Sequence, residues 1–247
     1  MAFHLLAYNG AQATTANTDV APVTDNVVNI VNSHFFPQQD LRLIFAAGMG
    51  ANITRARISQ PSLRLVTLPF IRPLIDAATP ASLDRVADFT PNPPRIRGLE
   101  ELGFEVTSSS GTADCFGLYG VQDSYEAPPS GDVYTLRGTS STAAVADTWT
   151  TLTMTWADQL PDGVYAVIGA SMISANSPAI RLIFSGQTWR PGALCMGATT
   201  SIDADLFRYG RLGVLGRFRQ TDMPQPQVLC NTTTNSHEVY LDIVKVG

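Results

Sequence analysis

Apolar and polar positions along this chain alternate over short runs and almost nowhere repeat at the three- and four-residue spacing of an amphipathic helix. The stretch Thr-Trp-Thr-Thr-Leu-Thr-Met-Thr-Trp at 148–156 sets Leu152, Met154 and Trp156 on one side and Thr151, Thr153 and Thr155 on the other. That is the pattern of a half-buried strand. Runs of this kind, bounded by Gly, Pro, Asn or Asp, predict strands near 2–8, 27–35, 41–47, 52–58, 63–68, 102–107 and 115–121. A second set is expected near 132–137, 148–156, 163–170, 179–184, 192–197, 213–219, 226–230 and 237–246. Nothing resembles a βαβ unit, so the expected fold is all-β and antiparallel.

The two sets carry matching fragments in the same order. Ile58-Ser59 returns as Ile173-Ser174, Arg64-Leu65 as Arg181-Leu182, Arg72-Pro73 as Arg190-Pro191, and Ser82-Leu83-Asp84 as Ser201-Ile202-Asp203. The offsets drift only from 115 (58 to 173) to 119 (82 to 201), as small loop insertions would produce. In the last match a serine N-cap precedes an aspartate at the positive end of a helix dipole, which predicts one short helix late in each half. The sequence therefore predicts a duplication. An N-terminal domain is expected over 1–126, a linker over 127–131 inside Tyr-Glu-Ala-Pro-Pro-Ser-Gly-Asp, and a C-terminal domain over 132–247. Seven or eight short strands in each half suit an eight-stranded antiparallel jelly-roll sandwich.

Composition narrows the function. Only 15% of the 247 residues are charged, with 16 Lys and Arg against 21 Asp and Glu, a surface suited to being covered in an assembly. Lys245 is the only lysine, and arginine forks suit interfaces better than solvated faces. A net charge of −5 without a basic run argues against a large nucleic-acid footprint. The N-terminal stretch does not read as a secretory signal, and no apolar run approaches a membrane span. Segment 10–26 reads as an arm or a flexible loop. The three cysteines, Cys115, Cys195 and Cys230, lack CxxC spacing and read as buried thiols in a reducing compartment.

Catalytic chemistry finds little to start from. His4, His34 and His237 fall in no metal-binding spacing, and His237 is expected as a solvated residue at the start of the last strand. Gly48-Met49-Gly50 follows a strand without opening a helix. Glu100 and Glu101 are adjacent and diverge in an extended chain, and Asp203 and Asp205 suit capping. The expectation is a non-enzyme with no catalytic residue, metal or cofactor. Arg64 and Arg181 fall at matching places inside apolar runs and are expected on the solvent side. Arg72, Arg190 and Trp189 are the candidate intersubunit contacts, with closure of a local turn as the other reading.

The fragments "ISQPSLRLVTLPFIRP…SLDRVADF" and "ISANSPAIRLIFSGQTWRP…SIDADLFRY" together give the chain its resemblance, over about residues 2–246, to the double jelly-roll major capsid proteins of tailless icosahedral viruses of bacteria and archaea. The resemblance implies homotrimeric, pseudo-hexameric capsomers that tile an icosahedral shell. It also implies assembly in the host cytoplasm, and as partners lattice neighbours, minor capsid and penton proteins and an internal lipid membrane. Sequence-specific nucleic-acid binding is not expected. At 247 residues the chain would be small for that family, with little room for tower loops. The rival reading is a secreted tandem β-sandwich for carbohydrate binding or adhesion, with Trp149, Trp156 and Trp189 as sugar platforms.

Overall fold

The computed structural model describes residues 3–12, 18–50, 53–64, 70–71, 73–75, 86–108, 113–195 and 205–247. They group into two compact units, one of residues 6–123 and one of residues 1–5 with 124–247. Each is all-β.

The N-terminal unit contains β1 (Phe3–Gln12) from Leu6 onward, β2 (Thr18–Val20), β3 (Asn29–Val31), β4 (His34–Phe36), β5 (Leu41–Gly50) and β6 (Ile53–Ser59). A single helical turn, α1 (Pro61–Arg64), precedes β7 (Phe70–Ile71), β8 (Pro73–Ile75), β9 (Ala87–Asp88), β10 (Arg95–Ile96), β11 (Gly103–Ser108) and β12 (Ala113–Gln122). One sheet runs β1-β12-β5-β10, with β8 and β9 also on β5, and the other runs β2-β11-β6-β7. The β5–β12 and β6–β11 ladders are antiparallel, whereas β8 runs parallel to β5.

The two sheets meet around Phe104. Its ring lies over the glycines of the facing sheet, and a Cβ at Gly117 would come within 2.5 Å of it. Tyr8, Phe35 and Tyr119 complete a buried aromatic group with centroids 5.0–5.8 Å from Tyr8. Each phenol finds an acceptor, Tyr8 at Leu102 O (2.5 Å) and Tyr119 at Gly103 O (3.0 Å). Burial with a satisfied hydroxyl keeps the gain from each ring, about 2 kcal/mol, from being cancelled by desolvation.

The C-terminal unit continues with β13 (Val133–Ser140), β14 (Trp149–Thr151), β15 (Thr155–Trp156), β16 (Val164–Ser174), β17 (Ala179–Ile183) and β18 (Gly192–Leu194). A 3₁₀ turn (Asp205–Phe207) then leads to β19 (Gly216–Arg219), β20 (Gln225–Leu229) and β21 (His237–Lys245). Its sheets run β15-β13-β21-β16-β19 and β14-β20-β17-β18.

With the short strands β3, β4, β8, β9 and β15 set aside, both units show one path. Numbered within each unit, one sheet reads 1-8-3-6 and the other 2-7-4-5. The extra strands take each unit past the seven or eight expected. The shared path has a shared irregularity, because the third strand bulges against the eighth in both units. Ile44 is the extra residue between Leu43 and Phe45, and Ile168 between Val167 and Gly169. Position 44 to 168 is an offset of 124, and the same offset takes Arg57 to Arg181, which face the seventh strand in each unit. At this offset residues 41–59 align without a gap to 165–183, matching Ile44, Ala46, Ala51, Asn52 and Arg57 to Ile168, Ala170, Ala175, Asn176 and Arg181.

That register corrects the sequence-based one. Ile58-Ser59 ends the fourth strand of its unit, whereas Ile173-Ser174 ends the third. Arg64 closes α1 rather than lying in a strand, so the counterpart of Arg181 is Arg57. The short helices expected late in each half are not found among the described residues. Ser82 and Asp84 lie outside those residues, and Ala87–Asp88 is committed to the β5 ladder. Ser201 and Asp203 also lie outside, and the second site retains one 3₁₀ turn.

Two strands were expected too long. The run 27–35 folds into the β3–β4 hairpin because Asn32 and Ser33 take positive φ (49° and 60°), which suits a tight hairpin turn. The run 148–156 splits, since β14 pairs with β20 in one sheet and β15 with β13 in the other. Its sidedness still holds, with Leu152 buried, Met154 and Trp156 half-buried, and Thr151, Thr153 and Thr155 exposed.

Candidate functional site

Polar groups that could do work cluster in the C-terminal unit. Arg181 of β17 is buried, which corrects its expected solvent-facing placement. Its Nε donates to Gln227 Oε1 of β20 (2.7 Å), and its guanidinium lies 4.2 Å from the Trp149 ring centroid. Gln227 Nε2 in turn donates to Thr151 Oγ1 (2.9 Å). A planar guanidinium suits this position because it stacks and hydrogen-bonds at once.

Arg190 joins this group, its Nη1 donating to the same Gln227 oxygen (3.1 Å). Its backbone N–H donates to His4 Nδ1 (3.0 Å), its carbonyl accepts from Leu5 N–H (3.1 Å), and Trp189 meets the His4 ring edge-on at 5.5 Å. An accepting Nδ1 fixes the neutral His4 tautomer that carries its proton on Nε2. Trp189 and Arg190, both half-buried, thus anchor residues 3–5 of β1, while Arg72 lies outside the described residues.

Two other buried polar groups lie in this unit, one around Asp242 that went unread in the sequence and one around His237. Asp242 of β21, fully buried, receives Arg208 through Nε (2.5 Å) and Nη2 (2.7 Å), and also Thr135 Oγ1 (2.9 Å). It sits opposite the β16 bulge, where a Cβ at Gly169 would come within 2.4 Å of Oδ2. His237, far from being solvated, is buried against Ser174 Oγ (Nδ1, 2.8 Å) and Thr142 O (Nε2, 3.0 Å). Desolvation holds its pKa below the usual imidazole value. Ser174 also bonds Ser177 (2.8 Å), which extends the pair into a polar network. Cys115, Cys195 and Cys230 are buried thiols, and burial raises the thiol pKa at Cys195 and pushes Cys230 up to about 11.

Among the described residues no group of three or more His, Cys, Asp or Glu comes together, and no helix is long and apolar enough to cross a membrane. Two cavities open on the C-terminal unit. One, about 480 Å³, has apolar walls from Tyr134, Leu136, Leu160, Pro161 and Tyr165 with Asp158 and Lys245 beside it. The other, about 440 Å³, is lined by hydroxyls and amides, among them Thr139, Ser141, Thr153 and Asn235. The first was not foreseen; the turn signal Leu-Pro-Asp-Gly at 160–163 marks its wall but not the cavity.

No model of a known protein family matches the chain, and no curated protein matches it. Among solved structures it is similar to one described as the crystal structure of the STIV MCP, at 9% identity and a TM-score of 0.27 over 98% of this chain and 97% of that one. It is also similar to the major capsid protein P2 from bacteriophage PM2, at 11% identity and a TM-score of 0.25 over 99% and 98% of the two chains.

Proposed function

We propose that this chain is a structural coat protein, a double jelly-roll major capsid protein of an icosahedral virus. The observation that carries the proposal is the strand path 1-8-3-6 and 2-7-4-5, present in both units with a bulge at the same place. That path is the double Greek key of a jelly roll. Two such units in one chain give a repeated wall element. The low charge and the Arg-for-Lys bias suit surfaces that pack against copies of themselves.

In this reading three chains form a pseudo-hexameric capsomer, and capsomers tile a shell in the virion after assembly in the host cytoplasm. Minor capsid and penton proteins, and an internal membrane, are its partners. Its work is mechanical, requiring no cofactor or catalysis, and with a net charge of −5 it does not bind the genome directly. Arg190 and Trp189, which tie down the start of β1, lie at intersubunit contacts together with Arg72. The test is sedimentation and electron microscopy of the purified chain. Trimers that build closed shells are expected; a monomer that binds glycans overturns the proposal in favour of a carbohydrate-binding module.

A further inference from the structure

The described surface holds two patches whose local chemistry is unfavourable in isolation. The first is on the N-terminal unit. Arg42 of β5 lies directly across from Arg95 of β10 on one side and Gln122 of β12 on the other. Like charges directly opposed in a ladder are destabilising. Asp40 answers only part of this row: it pairs with Arg95 and accepts from Gly98 N–H (2.8 Å). Arg42 and Arg97 are both exposed, and among the described residues the charge of Arg97 reaches only Asp40, the carboxylate that Arg95 already holds. Gln122, 5% exposed, has a buried Nε2 with no acceptor.

Two residues beyond Arg97 stands Leu99. Its φ is +60°, a left-handed conformation uncommon for a bulky apolar residue, and it is 66% exposed. Backbone bonds hold it there, with Leu99 N–H donating to Pro37 O (2.8 Å). A strained backbone that presents an apolar side chain to solvent beside unanswered guanidinium groups is characteristic of a site completed by something else.

The second patch, on the C-terminal unit, has the complementary character. The cavity of about 480 Å³ between Tyr134, Leu160, Pro161 and Tyr165 exceeds the volume of a leucine side chain. Tyr134 is 54% exposed at its edge. Asp158 lines it, Asp132 adjoins Val133 of its wall, and Asp162 adjoins Pro161. All three carboxylates are exposed and meet no cation among the described residues. Lys245, the chain's one lysine, is the single positive group at this cavity.

We propose that Leu99 of one copy inserts into this cavity on a second copy, with Arg42, Arg95 and Arg97 facing Asp132, Asp158 and Asp162. The occupant is a second copy of the chain because one sequence supplies both the knob with its basic collar and the socket with its acidic rim. The contact joins different surfaces, so copies linked this way form a ring if the rotation closes. The inference rests on the coat-protein reading, naming the surface through which its copies meet.

The test compares assembly of the full chain by sedimentation across protein and salt concentration, with thermal melting as the control for folding. Leu99→Gly removes the knob and relieves the left-handed strain, so it leaves the fold intact. It is expected to raise the protein concentration needed for half-assembly by about tenfold. Arg97→Asp and Asp158→Arg each place like charges together and are expected to weaken assembly by a similar factor, while the two combined in one chain restore it. High salt weakens the wild type.

Wild-type assembly that Leu99→Gly leaves unchanged, or paired charge reversal that rescues nothing, overturns this contact and leaves the coat-protein reading standing. A wild-type chain monomeric at every concentration overturns the coat-protein reading itself. Binding of the wild type to phosphatidylglycerol vesicles through Arg42 and Arg97, with assembly indifferent to both, assigns the basic collar to lipid and also overturns the contact.

Discussion

Arg181 and Gln227 face each other across β17 and β20 at 2.7 Å, and Arg57 and Glu105 hold the equivalent places across β6 and β11 at 2.6 Å. The duplication thus conserves a guanidinium on the fourth strand but not the charge of its partner. In the N-terminal unit the partner is a buried carboxylate with a half-buried arginine; in the C-terminal unit the arginine is the buried member, and a neutral amide and an indole face receive it.

Arg181→Ala is therefore expected to be costly. It empties a buried volume beside Trp149 and takes a donor from Gln227, together about 3 kcal/mol. Arg190→Ala, at a half-buried position on the same amide oxygen, is expected to cost about 1 kcal/mol. Because both act on Gln227, the double variant should fall short of additivity. Urea unfolding of the two single variants and the double variant checks all three values.

His237 gives stability a pH dependence whose sign follows from its burial. The folded state lowers its pKa by desolvation, so the unfolded chain takes up a proton first as pH falls. Its contribution is complete above the ordinary imidazole value of about 6.5 and is lost as pH drops through the lowered folded value. His237→Gln is expected to flatten the melting temperature between pH 7 and pH 5, measured against wild type. An equal slope in both proteins would assign the acid sensitivity elsewhere.

Much of the fold was legible in residue pattern because sandwich strands announce their buried side. Leu152, Met154 and Trp156 are inward as their alternation required. What misled was continuity: alternation says which side a residue faces but not which sheet it joins, so the crossing between β14 and β15 was invisible. The repeat register failed for a related reason. Dipeptides such as Arg64-Leu65 recur cheaply, whereas the true correspondence rests on the bulges at Ile44 and Ile168, which only hydrogen-bond pairing reveals. The sequence singles out Trp189 and Arg190 as intersubunit contacts, but their partner within the chain, His4, lies at its other end. No local signal links them.

Gly117 tests the sheet contact of the N-terminal unit. A methyl group there would lie 2.5 Å from Phe104, and the ring is held between Tyr8 and Tyr119. Gly117→Ala is expected to lose about 2 kcal/mol by overpacking. Adding Phe104→Leu, itself destabilising, should cost less in the Gly117→Ala background than in wild type. Additive losses would show that the ring moves aside freely.

The cysteines should be silent until the chain opens. Burial suppresses thiolate at Cys195 and at Cys230, which is pushed up to about 11, and Cys115 is fully buried. A thiol reagent at pH 8 is expected to label the native protein no faster than it unfolds and all three positions at once in denaturant. Rapid labelling of one site in the native protein would mark a local opening near it.

Asp242 carries the largest expected penalty. It is fully buried, receives two guanidinium bonds from Arg208 and a hydroxyl bond from Thr135, and sits opposite a glycine with no room for a Cβ. The pair ties the turn after the 3₁₀ segment to the last strand, so losing it frees that turn as well as exposing a charge imbalance. Removing only the carboxylate, as in Asp242→Leu, leaves a buried guanidinium without its counter-charge and is expected to cost about 3–5 kcal/mol. Replacing both members, as in Arg208→Met with Asp242→Leu, removes the desolvation of both ions and should recover most of that loss. A double variant as unstable as Asp242→Leu alone would show that Asp242 matters mainly through Thr135 and the bulge at Ile168. In that case the ion pair would be incidental to the fold.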